Sequence, residues 1–220
     1  LDYVPTAGSE DGRYKLHDLA RLFAESYLQG AELADAKQKH ANHYSKVLSK
    51  ASSFYDKGGI DLLDGLKLFD SEWANIKVGH AWIKSAIRSY RMLNKSDLKF
   101  ISKLVWSYEN GIDIISLRLH PREQISWIET GLSTARIMKD HKAEGLSLGN
   151  LGNRYFEMGE MRKATEFYEQ ALQISKKNGA RKSEGIWLGN MGLAYSDLGD
   201  PRKAIELYEQ ALKIARETGN

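Results

Sequence analysis

Cysteine is absent from this 220-residue chain, and proline occurs only three times. The first absence excludes a disulfide framework and any cysteine-ligated zinc site. The second removes the commonest interruption of long helices. No apolar stretch approaches the ~18 residues of a membrane-spanning helix, and no secretory leader opens the sequence; the expected compartment is the cytoplasm. Charge of one sign is not in excess either. Thirty-two Lys and Arg against 29 Asp and Glu leave a formal +3, below the strongly basic balance of a dedicated nucleic-acid domain. Chemistry-bearing motifs are missing as well. There is no lysine-bearing glycine loop for a triphosphate. His40 and His43 stand three apart, but no third ligand sits at a suitable helical spacing, so a packed or solvated pair is the expectation. Glu166, Glu169, Glu206 and Glu209 fall on the polar sides of helices. No catalytic residue and no metal ligand is assigned, and the chain is not expected to be an enzyme.

What the sequence does contain is a segment written twice. Residues 148–179 and 188–219 align without a gap at a distance of forty, with 17 of 32 positions identical. Each copy reads as two helices. In the second copy Gly199-Asp200-Pro201 breaks the first helix, and Pro201 suits a first helical position, where its missing N–H costs nothing. Ala204, Tyr208, Ala211, Leu212 and Ala215 then form an amphipathic stripe, and Gly219 is a stop signal. A fixed period of this length marks a stacked repeat array, a class that binds on an extended surface.

The small, glycine and aromatic positions Gly152, Tyr155, Gly159, Ala164, Tyr168 and Ala171, repeated as Gly192, Tyr195, Gly199, Ala204, Tyr208 and Ala211, resemble the tetratricopeptide repeat. The forty-residue period and the cores Asn150-Leu151-Gly152 and Asn190-Met191-Gly192 resemble the kinesin light chain type. The resemblance implies an all-α, right-handed α-solenoid of helical hairpins. A drifted third copy spans about 97–138: Arg122, Glu129 and Leu132 match Arg162, Glu169 and Leu172, and Pro121 opens its second helix. The expected organisation is therefore three repeats in 95–220, at about 97–138, 141–178 and 181–218. In such arrays the first helices line a concave groove, which here would carry Trp106, Asn110, Leu146, Asn150, Asn153, Arg154, Ile186, Asn190 and Leu193. An asparagine amide both donates and accepts, so it can bond the backbone of an extended peptide whatever its sequence. Asn110, Asn150 and Asn190 share one register; a purely local hydrogen-bonding role is the other reading of them. The array stops with no polar capping helix, so Tyr208, Leu212 and Ala215 are expected to be uncovered, with self-association or a longer array as the consequence.

Residues 30–94 read as a helical linker. Ala36, His40, Tyr44, Val47 and Leu48 share a face, Gly58-Gly59 makes a break, and Phe69, Trp73, Ile76, either Ala81 or His80, Ile83 and Ile87 approximate a buried stripe. Residues 1–29 differ in kind, with a possible hairpin through Val4 and Arg13 followed by a helix from about His17. Beginning inside a hairpin suggests a fragment. The run Tyr14-Lys15-Leu16-His17-Asp18-Leu19 resembles the end of the winged-helix subdomain of NB-ARC signalling ATPases of the STAND class, with Leu16 in place of the usual Met. Phe69 to Trp82 is similar to the segment joining ATPase to repeats in bacterial members. That resemblance implies that His17 contacts ADP or ATP in a full-length parent, while this fragment holds no cofactor. The expected function is a sensor region that binds a partner protein or extended peptide and relays it to an absent ATPase; the alternative is a constitutive scaffold without a nucleotide switch. Membrane and nucleic acid are not expected partners.

Overall fold

The computed structural model describes residues 2–4, 13–15, 27–89, 93–109 and 111–219. The chain divides into two units, residues 1–40 and 41–220. The division falls inside the first described helix rather than ahead of it, where the sequence suggested a boundary at 29/30. In the first unit β1 (Asp2–Val4) pairs antiparallel with β2 (Arg13–Lys15), Tyr3 opposite Tyr14. Two three-residue strands are a short ladder and carry no mark of a wing. Of the ATPase-like run only Tyr14 and Lys15 are described; Leu16, His17, Asp18 and Leu19 lie outside the described residues, as does Asn110.

No strand occurs beyond residue 20 among the described residues. The helices are α1 (Gly30–Lys57), α2 (Gly59–Arg88), α3 (Lys95–Glu109), α4 (Ile112–Ser116), α5 (Pro121–Met138), α6 (His141–Glu157), α7 (Met161–Lys177), α8 (Arg181–Asp197) and α9 (Pro201–Thr218). In the second unit α6 packs on α7, α8 on α7, and α9 on α8, a stack of helices in sequence order. Its helix boundaries follow local chemistry. Asp140 and Asp200 accept the backbone N–H of Ala143 and Lys203, each at 3.0 Å, satisfying amides that a helix start leaves without partners. His120 does the same for Arg122 at 3.2 Å, ahead of Pro121. Gly159 and Gly199 close α6 and α8 at φ 77° and 80°. Gly179 and Gly219 take the corresponding left-handed position after α7 and α9, whereas after α5 the drifted repeat has Lys139 there, at φ 56°.

Small residues set how closely these helices approach. A Cβ on Gly152 or Gly192 would overlap the ring of Tyr168 or Tyr208. A Cβ on Gly149 would overlap Trp187, so the ring of one repeat seats in the glycine gap of the repeat before it. In the linker region a Cβ on Gly65 would stand 2.7 Å from the Ala51 carbonyl oxygen. The buried stripe of α1 is Ala41, Ser45, Leu48 and Ser52, one residue round from the face expected. Serine and alanine fit where the α2 backbone comes this near. In the α2 stripe Phe69, Ile76, His80, Ile83 and Ile87 are buried, while Trp73 is only partly buried, Ala81 is exposed and Glu72 is buried in addition.

Two apolar clusters result. One joins Leu48, Phe69, Ile76, Ile83, Leu104 and Tyr108, with Trp127 packed against it. The other joins Ile128, Leu148, Leu151, Tyr168, Trp187 and Ile214. Adjacent residues of α5 thus feed different cores.

Candidate functional site

Four of the residues expected to bind a partner come together. Asn153 and Arg154 from the end of α6, and Asn190 and Leu193 from α8, line one groove with Phe156, Glu157 and Tyr168. Its volume is about 150 Å³. Asn153 organises it. Its Oδ1 accepts from the Tyr168 hydroxyl at 2.8 Å and from Asn190 Nδ2 at 3.0 Å, which occupies both lone pairs. The Nδ2 of Asn153 and the Oδ1 of Asn190 make no hydrogen bond among the described residues, so the bonded pair offers one donor and one acceptor side by side. Burial lifts the Tyr168 phenol to about 12, with Glu157 adding to the rise; it stays a neutral donor across the physiological range.

Arg154 is held from two sides. Its Nη1 donates to Gln124 Oε1 at 2.6 Å and its Nη2 to Glu157 at 2.8 Å. Gln124 is itself buried and donates to the Leu119 carbonyl at 2.6 Å. The guanidinium is therefore positioned by α5 and α6 together, and its charge is balanced at the rim by Glu157. Phe156 and Leu193 supply the apolar side; Leu193 is 50% exposed.

The remaining expected residues are elsewhere. Leu146 lines a different groove, with Ile174, Ser175, Asn178 and Trp187. Ile186 is exposed. Trp106 on α3 is half-buried, and Asn110 lies outside the described residues. Asn150 faces an interior cavity of about 10 Å³ bounded by His80, Tyr108, Glu109, Trp127 and Thr130. Asn150 and Asn190 share a register but not an environment: Asn150 faces residues of α2, α3 and α5, whereas Asn190 bonds Asn153 of α6.

That interior cavity holds the strongest electrostatics. His80 stacks on Trp127 with centroids 3.7 Å apart and planes within 2°. Its Nε2 has no hydrogen-bond partner among the described residues. Burial, reinforced by Lys84, lowers its pKa to about 3, so the ring is neutral. Glu109 is raised to about 7 by burial, against a bond from the Ser147 hydroxyl at 3.0 Å that favours the ionised form. Its carboxyl fills the space that a side chain on Gly131 would need. Sequence reasoning passed over this cluster. Its one visible signal is the pair of departures from the repeat pattern, Glu109 for Gly149 and Gly131 for Ala171.

Residues 143–217 match the family model described as tetratricopeptide repeat. That segment is a tetratricopeptide repeat region. The chain is 35% identical over 57 residues to tetratricopeptide repeat protein 29 of Trypanosoma brucei brucei, a match covering 26% of this chain and 12% of that protein. Among solved structures, BtubC (BKLC) from P. vanneervenii aligns at TM-score 0.42 and 15% identity over 84% of this chain and 93% of its own. A putative kinesin light chain from Podosopora anserina with nearly identical TPR-like repeats aligns at 0.43 and 17% over 93% and 99%. Tetratricopeptide repeats generally mediate protein–protein interaction. Among the described residues no helix is long and apolar enough to cross a membrane.

Proposed function

We propose that the repeat region binds an extended peptide segment of a partner protein in the groove between α6 and α8. The observation that carries this reading is the Asn153–Asn190 pair. One free amide donor and one free carbonyl acceptor match the C=O and N–H of a single residue in an extended chain, and they stand beside Leu193 and Phe156. A backbone-directed pair with an apolar neighbour tolerates many sequences while still requiring an extended chain. Asn110, Asn150, Trp106, Leu146 and Ile186 stand outside that pair.

The test uses peptides selected against the whole chain from a displayed random library. Asn190→Ala removes one amide contact, which should weaken the selected peptides by roughly 2–12-fold, corresponding to ~0.5–1.5 kcal/mol. Leu193→Glu should weaken them further without lowering the melting temperature, because Leu193 is 50% exposed. Unchanged affinity in both variants would move the binding surface elsewhere.

The N-terminal resemblance supports a larger setting: a sensor region of a STAND-type ATPase, in which partner binding is relayed to a nucleotide module that His17 touches. ADP or ATP would then be held by the parent. His17→Ala in the parent should speed ADP release; an unchanged release rate would leave the constitutive scaffold as the better account.

A further inference from the structure

The two regular repeats differ at the start of their first helices. Ahead of α6, Asp140 takes φ −87° and ψ 88°, and its carboxylate accepts the Ala143 N–H at 3.0 Å. The same register in the next repeat falls on Ala180. The backbone there is nearly the same, φ −80° and ψ 67°, but α8 starts without a side-chain cap. The first amides of a helix carry partial positive charge and attract an anion.

A groove opens at this point, at the opposite end of α6 from Asn153 and Arg154. Ala180 and Ser183 border it on α8, and Leu146, Ile174 and Trp187 form its apolar side. Its volume is about 360 Å³, the size of a site for a small organic molecule. Trp187 is 4% exposed, and its Nε1 is buried with no hydrogen-bond partner among the described residues. An indole nitrogen can only donate. His141 and Lys142 stand on the α6 side, and no acidic side chain lines the groove. The first-turn carboxylates of the two helices are engaged, Glu144 by Arg136 and His141, and Glu184 by Arg181. Lys142 makes no ion pair among the described residues. The uncapped amides, the unmet indole N–H and the free lysine all call for an acceptor with negative charge, and the apolar side calls for a body attached to it.

We propose that this groove binds a small organic carboxylate with an apolar body. Its head group takes at α8 the place that the Asp140 carboxylate takes at α6, and its body lies against Leu146, Ile174 and the Trp187 ring. The proposal stands apart from the peptide groove, which shares none of these residues.

The experiment titrates octanoate into the ¹⁵N-labelled chain and follows the indole N–H resonances of its five tryptophans. Octanoate should shift the Trp187 signal saturably and leave Trp73, Trp82, Trp106 and Trp127 in place. Octanol, which has the body without the charge, and acetate, which has the charge without the body, should each bind at least ~10-fold more weakly. Ala180→Asp supplies the missing cap from the chain itself. It should raise the melting temperature by roughly 2–4 °C while weakening octanoate at least ~10-fold, so a loss of binding cannot be a loss of fold. Lys142→Gln, at an exposed position, should weaken octanoate by roughly 2–5-fold without changing the melting temperature. An unmoved Trp187 resonance, shifts spread over all five tryptophans, or equal binding of octanol would overturn the proposal. So would full octanoate affinity in the Ala180→Asp protein.

Discussion

Glu109 and His80 border one small cavity and pull stability in opposite directions with pH. The folded state holds Glu109 near 7, above its ordinary 4.5. It therefore favours folding at low pH, and that contribution is lost as pH rises from 4.5 through 7. His80 is held near 3, below 6.5, so its contribution is present above 6.5 and lost as pH falls toward 3. Between 4.5 and 6.5 the two slopes oppose each other; above 6.5 only the loss from Glu109 remains. The upper bounds are about 3 kcal/mol for Glu109 and about 5 kcal/mol for His80, and neither group is wholly buried. Glu109→Gln should therefore remove the decline in melting temperature between pH 6.5 and 7.5. Against the wild type it should also reveal a rise from pH 4.5 to 6.5 that belongs to His80. A wild-type profile flat from 6.5 to 7.5 would refute this assignment. The neighbouring Tyr108 is raised beyond this window by burial, and Lys84 donates to Ser126 at 2.5 Å.

At the scale of the element, the drifted first repeat retains its helices while losing one of their terminators. Lys139 is the one non-glycine described at positive φ, where the other two repeats have Gly179 and Gly219. A left-handed residue with a Cβ costs roughly 1–2 kcal/mol, partly offset by the extra entropy glycine loses on folding. Lys139→Gly should raise the melting temperature by roughly 2–4 °C, measured by circular dichroism; a fall would mean that the lysine side chain does more than the backbone strain suggests. The breaks of the repeats were legible because glycine, proline and aspartate act within a few residues of where they stand. The α1 face was misread by one residue because Ser45 and Ser52 are buried only through the close approach of α2, which sequence periodicity does not weigh. The groove was half legible. Asn153 and Asn190 were both named, but their mutual bond joins positions 37 apart. The shared register of Asn150 and Asn190 pointed instead to an equivalence that stacking removes.

Among the described helices α7 packs on both α6 and α8, whereas α9 packs chiefly on α8. Protection from hydrogen exchange should therefore decline from α6 toward α9, since local opening is easiest where the fewest apolar contacts are broken. Equal protection of α7 and α9 by mass spectrometry would contradict this. A different consequence follows from α5. Trp127 faces the linker cluster and Ile128 the repeat cluster, and consecutive residues on a helix point about 100° apart. The helix is meshed on two sides like a gear between racks. It cannot roll to relieve one core without disengaging the other, so strain introduced at Leu148 reaches Phe69 as torque.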